Sequence, residues 1–167
     1  MPVKNVALQI CAFARLVKEY PQIRLRIVGE GPMRRNLQLT TNNLQLKDRV
    51  AFEGRQDNLS PYYKNADAFL LTSDFEGWGL AVTEAAAYGL PIIMTDVGLA
   101  GEFIGDGENG LVIPVGDEVA LVAAMRRVMT DASLRARLGS AASASFLALP
   151  SAEEQIRKQV EEWRGFS

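Results

Sequence analysis

The sequence contains no histidine and only one cysteine, Cys11, among its 167 residues. A zinc site of the usual type needs several cysteine or histidine ligands, and a disulfide needs two cysteines, so both are excluded within the chain. No apolar run reaches the roughly 18 residues of a membrane span, and the N-terminus has no basic-then-apolar secretory signal. We therefore expect a cytoplasmic protein, with peripheral contact to the inner membrane face left open.

A strong charge of either sign is also missing. The formal net charge is -2, and hydrophobic residues make up 48% of the chain. This composition is sufficient for one globular domain with a full core. Because there is no broad basic field, nucleic acid is not an expected partner, and a phosphate ligand would have to be held by local donors.

Short apolar segments alternate with helical patterns along most of the chain. The runs 67–72 and 91–95 are nearly continuously apolar, as in the buried strands of a parallel sheet, and a helical pattern at 80–88 lies between them. Alternation of this kind predicts α/β architecture. Further predicted strands span 24–28, 50–52 and 111–113, and a helical turn is predicted at 101–104. Further predicted helices span 5–18, 33–39, 60–65, 119–129, 131–138 and 155–163, and the last ones form a helical C-terminal tail.

The most informative motif places Glu76 and Glu84 eight positions apart across a glycine-rich turn. The turn follows one predicted strand and leads directly into the next predicted helix, so backbone N–H groups and two carboxylates meet at one edge of the sheet. Gly77 and Gly79 let a ligand approach the main chain closely, and Trp78 between them is costly to expose without a partner. The motif therefore predicts a site for phosphate and sugar hydroxyls.

Two basic residues are candidates for the same edge. Lys4 precedes the first predicted helix, where its ammonium and the helix N-terminus together suit a diphosphate. Arg55 follows the strand at 50–52, where its guanidinium suits a base or a phosphate.

Two common nucleotide motifs are excluded. The turn from Gly29 to Pro32 begins like a dinucleotide fingerprint, but the required third glycine position is occupied by Arg34. No Gly-Lys-Ser/Thr sequence follows a glycine at the spacing of a P-loop. Nicotinamide binding and ATP hydrolysis of the P-loop type are therefore disfavoured.

Taken together, these motifs resemble the C-terminal, nucleotide-sugar-binding domain of retaining GT-B glycosyltransferases of the group-1 (family-4) type. The resemblance runs in family order to about residue 129 and implies a Rossmann-like, three-layer fold with helices on both faces of a parallel sheet. The matching phrases are Lys4-Asn5, Val28-Gly29-Glu30-Gly31-Pro32, Val50-Ala51-Phe52-Glu53-Gly54, Ala66 to Ser73, Glu76-Gly77-Trp78-Gly79-Leu80 with Glu84-Ala85, Gly89-Leu90-Pro91 and Asn109-Gly110-Leu111.

The resemblance implies a role for each matching residue. Glu76 would be the catalytic residue and contact hydroxyls of the donor sugar, and Glu84 would accept hydrogen bonds from the ribose. The main chain from Gly77 to Leu80, with Gly31 in the earlier turn, would meet sugar and phosphate oxygens. Lys4 would neutralise the diphosphate of a UDP-, GDP- or ADP-hexose, so that neither a metal nor a cofactor is required.

The family pattern also has a strand ending in Gly-Arg-Leu before that lysine, and an N-terminal acceptor domain before the strand. Neither has a counterpart here, so we interpret 1–167 as a C-terminal donor-binding domain that is inactive in transfer by itself. Two alternatives stay open: a nucleotide-sugar epimerase of GT-B fold and a non-catalytic nucleotide-binding module.

Overall fold

The computed structural model describes residues 4–77 and 79–150. Helices and strands alternate over most of this range, as the sequence predicts. The helices are α1 (Val6–Leu16), α2 (Arg34–Asn43), α3 (Ser60–Lys64), α4 (Leu80–Ala87), α5 (Glu118–Thr130) and α6 (Ala132–Leu147). The strands are β1 (Leu25–Val28), β2 (Val50–Gly54), β3 (Phe69–Leu71), β4 (Ile92–Thr95) and β5 (Leu111–Ile113).

All of these strands pair in parallel, but their hydrogen bonds form two sheets. One sheet contains β1 and β2, and the other has the order β3-β4-β5. The two sheets share one hydrophobic core, which includes Leu25 of β1, Val50 of β2 and Ile93 of β4. The arrangement is therefore layered and parallel, as predicted, but no backbone ladder joins the sheet of β1 and β2 to the sheet of β3, β4 and β5 in the described residues.

Helices cover both faces of the three-stranded sheet. Ile93 of β4 belongs to a core that also contains buried residues of α1 and α5. Ile92 and Met94 belong to a second core, to which α4 contributes Val82 and α6 contributes Ala142. Because neighbouring side chains of a strand point to opposite faces, a strand buried throughout requires helices on both sides.

Several boundaries differ from the sequence predictions. Helix α2 continues to Asn43 rather than ending near 39, and α6 continues to Leu147 rather than ending near 138. The helical turn predicted at 101–104 is a non-helical turn. The predicted helix 155–163 lies outside the described residues. Within 4–77 and 79–150, no helix has the length and apolar character that crossing a membrane requires.

Candidate functional site

The candidate site lies where β3 and β4 end. These strands are parallel neighbours, so the segments that follow them meet at one edge of the sheet. The contact between the segments is close: a Cβ atom at Gly98 would lie 2.9 Å from the carbonyl oxygen of Gly77 and 3.0 Å from Cβ of Glu76. Gly98 also has a φ of +56°, which favours glycine. A side chain at position 98 would therefore displace the turn that carries Glu76.

Glu76 is held by two donors. Its side chain is only 9% exposed and forms an ion pair with Lys4. The Ser73 hydroxyl donates a hydrogen bond of 2.9 Å to the same oxygen, Oε1. Among the described residues, no group donates to Oε2. The second oxygen of this well-fixed carboxylate is therefore available to an incoming hydroxyl.

The segment before α1 is attached to the end of β3. The Thr72 hydroxyl lies 3.1 Å from the carbonyl oxygens of both Lys4 and Asn5 and accepts a hydrogen bond of 3.0 Å from the Gln9 amide. The Asn5 side chain donates to Asp74 Oδ1 at 2.9 Å. These bonds place the Lys4 ammonium, whose side chain is 56% exposed, beside the Glu76 turn.

Glu84 has a different partner. It lies in the second turn of α4 and is exposed, and its Oε2 accepts a hydrogen bond of 2.9 Å from the Tyr63 hydroxyl of α3. Tyr63 is 9% exposed. Burial raises the pKa of the Tyr63 hydroxyl above its usual value, and the hydrogen bond to Glu84 adds to that effect. The hydroxyl is therefore a neutral donor near neutral pH.

The start of α4 has the glycine-dependent shape that the motif predicts. Gly79 precedes the helix with φ 67° and ψ 49°, a left-handed conformation that suits glycine. Gly77 is exposed, and Leu80, the first residue of α4, is 67% exposed. Trp78 lies outside the described residues.

Gly31 and Arg55 follow the ends of β1 and β2. Both are exposed, and the two strand ends meet through a hydrogen bond of 2.7 Å from the Gly29 N–H to the Gly54 carbonyl. Within the described part of the chain, Arg55 makes no side-chain hydrogen bond or ion pair. Its role therefore stays a prediction.

The structure brings Lys4 and Glu76 into direct contact, although sequence reasoning assigned them to different parts of a ligand. It also adds Ser73, Tyr63 and Gly98, which are not among the site residues predicted from the sequence. Ser73 directly follows the predicted strand at 67–72, and this position at a strand end could have indicated a site residue. The partnership of Tyr63 with Glu84 depends on how α3 packs against α4, and no local pattern indicates it.

A shallow, open surface depression of about 510 Å³ lies elsewhere. Its lining includes Asp67 and Pro91, which precede β3 and β4, so it is at the opposite edge of the sheet from Glu76. The depression does not contain the candidate carboxylates, although Tyr63, the hydrogen-bond partner of Glu84, is among its lining residues. We place the site at the carboxyl edge because Lys4 and Glu76 meet there. In the described part of the chain, acidic and cysteine side chains do not gather in groups of three that suit a metal ion.

Comparison with known proteins identifies the family. Residues 1–145 match the family described as Glycosyl transferases group 1. The chain belongs to this family. It is 36% identical over 143 residues to N-acetyl-alpha-D-glucosaminyl L-malate synthase of Bacillus anthracis, a match that covers 86% of this chain and 37% of that protein. The chain thus spans well under half of the length of this relative.

Solved structures confirm the predicted Rossmann-like α/β fold of a GT-B C-terminal domain. The C-terminal domain of the group-1 protein LpcC from Francisella tularensis superposes with a TM-score of 0.80 at 23% identity, over 86% of this chain and 78% of that one. The pneumococcal O-GlcNAc transferase GtfA, solved in complex with UDP and GlcNAc, gives 0.83 at 28% identity, over 95% of this chain and 33% of that one. The fold of the described residues is therefore shared with both of these proteins.

Proposed function

We propose that this domain binds a nucleotide-diphospho-sugar, a UDP-, GDP- or ADP-hexose. In the full-length enzyme, the hexosyl group passes to an acceptor with retained anomeric configuration. The names of the relatives support this proposal, because a glucosaminyl malate synthase and an O-GlcNAc transferase in complex with UDP are both similar to the chain. The acceptor is bound by an N-terminal domain that completes the cleft, and the domain alone does not carry out transfer.

The observation that carries the proposal is the pairing of Glu76 with Lys4 at the end of β3. A buried carboxylate fixed through one oxygen can accept from sugar hydroxyls with the other, and such charge-assisted bonds are short and strong. An exposed ammonium beside it can move to a diphosphate. Glu84 is one turn into the following helix and suits the ribose.

The cation and the helix also account for departure of the nucleoside diphosphate. Negative charge develops on the diphosphate as the glycosidic bond breaks, and a positioned cation stabilises that charge. Lys4 supplies the cation, and the N-terminus of α4 supplies oriented N–H groups. The proposed reaction therefore needs no metal ion. We also propose that the enzyme acts in the cytoplasm.

Calorimetry with a nucleoside diphosphate and with its sugar conjugate tests the division of roles. We expect Glu84→Ala to weaken binding of both ligands by a similar factor, and Glu76→Ala to remove only the additional affinity that the sugar provides. Each lost charged hydrogen bond should cost about 1.5–3 kcal/mol. Asp48→Ala is the control, because Asp48 is an exposed acid that precedes β2 at the far edge.

Equal losses of both ligands in the two variants would refute the division of roles. Absence of binding by the wild-type domain to UDP, GDP and ADP, and to their hexose conjugates, would refute the donor assignment itself. In the full-length enzyme, NMR of the first-formed product reports the anomeric configuration, and an inverted product would contradict retention.

A further inference from the structure

Tyr63 presents a single polar group from an apolar position. Its ring belongs to the core that contains Leu71 and Val82, and the residue is 9% exposed. The ring stacks on Tyr88 with centroids 5.2 Å apart and lies 6.1 Å from the Phe69 ring. A ring packed on several sides has one available orientation, so the position of the hydroxyl is fixed by the core.

This fixed hydroxyl contacts the exposed carboxylate of Glu84. The bond runs to Oε2 over 2.9 Å, and among the described residues no group donates to Oε1. A glutamate on a helix surface normally samples several rotamers, and it loses conformational entropy when a ligand fixes one of them. A hydrogen bond from a rigid donor removes part of that freedom before the ligand arrives.

We propose that Tyr63 is a positioning residue that fixes Glu84 for the ribose hydroxyls and so determines how strongly the domain prefers ribonucleotides to deoxyribonucleotides. The inference rests on the proposed function, because it assigns a partner to Glu84 within the same donor site. Tyr63 does not touch the ligand. It occupies one oxygen of the carboxylate and aims the other at the ribose.

A purely structural role is the competing explanation, because a buried hydroxyl needs an acceptor whatever the ligand does. The two roles differ in what they change. A structural hydroxyl affects the stability of the domain and weakens all nucleotides alike. A positioning hydroxyl affects only ligands that carry the ribose hydroxyls, and it acts only while Glu84 is present.

The test compares UDP with 2′,3′-dideoxy-UDP by calorimetry, with GDP and ADP and their dideoxy forms used if UDP does not bind. We expect Tyr63→Phe to weaken the ribonucleotide by about fivefold and the dideoxy form by less than about twofold, in line with the loss of one hydrogen bond to a charged group that is not itself a ligand contact. In the Glu84→Ala background, Tyr63→Phe should cause no further loss. Tyr88→Phe is the matched control, because it removes a hydroxyl from the stacked partner ring.

Each outcome decides the inference. Equal weakening of both ligands by Tyr63→Phe, or further weakening in the Glu84→Ala background, would overturn the positioning role and leave the donor site intact. A wild-type domain that binds nucleotides without preferring ribose would overturn the role given to Glu84, and the role of Tyr63 with it. A wild-type domain that binds none of the nucleotides would overturn the proposed function and this inference together, and it is recognised before any variant is made.

Discussion

The contact of Gly98 with the Glu76 turn gives the most direct test of the site. In Gly98→Ala, the new Cβ would lie 2.9 Å from the Gly77 carbonyl oxygen, and ordinary contact would require that oxygen to move by several tenths of an ångström. The new side chain also strains the backbone, because φ is +56°. The left-handed conformation costs an L-residue about 1–2 kcal/mol.

The strain and the contact can be separated with a second glycine. Gly107 has a φ of +72°, and a Cβ there would meet nothing within 4 Å. Gly107→Ala therefore carries the backbone cost without the contact. For a domain of this size, the backbone cost should lower Tm by about 2–8 °C in both variants.

Only Gly98→Ala should also impair binding of the nucleotide-sugar. A displacement of about 1 Å at a positioned group can lower a reaction rate by about 100-fold. By the same reasoning, a shift of a few tenths of an ångström in Glu76 should weaken binding of the nucleotide-sugar by about tenfold. Calorimetry below the Tm of both variants measures the difference. Equal donor affinities for Gly98→Ala and Gly107→Ala would refute the argument that the segment after β4 supports the turn.

Further predictions concern stability and reactivity. Gly139→Ala should lower the free energy of unfolding by about 3 kcal/mol in urea titrations, because the new Cβ would lie 2.1 Å from the Gly89 carbonyl oxygen. The control Ala136→Gly, at an exposed position of α6, should lower it by only about 1 kcal/mol. The pKa of the Tyr63 hydroxyl is raised in the folded state, so the free energy of unfolding should fall as the pH rises above the unfolded pKa of about 10. Tyr63→Phe removes the titrating group and should make this alkaline loss of stability smaller. Identical alkaline stability profiles for wild type and variant would contradict this. Burial raises the pKa of Cys11, so its alkylation by iodoacetamide at pH 8 should be slower than that of a free thiol and should accelerate at more alkaline pH.

The sequence predicts the layers of the fold because strands in parallel sheets are apolar throughout. Strands β3 and β4 show this clearly, and Gly89 ends the helix between them. The far end of α6 was not predicted, because its Ala- and Ser-rich residues lack a strong apolar period. Gly139 within it approaches the Gly89 backbone, so tertiary packing rather than local pattern sustains the helix there.

In the candidate site, too, some residues could be predicted from the sequence and others could not. Glu76, Glu84 and Lys4 could be selected because charged residues follow a strand or flank a helix start at recognisable positions. Their partners could not. The bond from Tyr63 to Glu84 joins residues 21 positions apart in the sequence, and it exists only when α3 lies against α4. The division of the strands into two sheets likewise follows from hydrogen bonding that no local pattern reports.

The ion pair between Lys4 and Glu76 has a consequence for the order of events during recognition. In the proposed complex, the ammonium transfers to the diphosphate, and this exchange releases the oxygen that it shares with Ser73. A free monosaccharide brings no anion to draw the lysine away, so only Oε2 of Glu76 is open to it, whereas a sugar that arrives with its diphosphate meets both oxygens. In the proposed complex, the nucleotide part of the donor thus strengthens binding of the sugar, and unactivated hexoses compete less well.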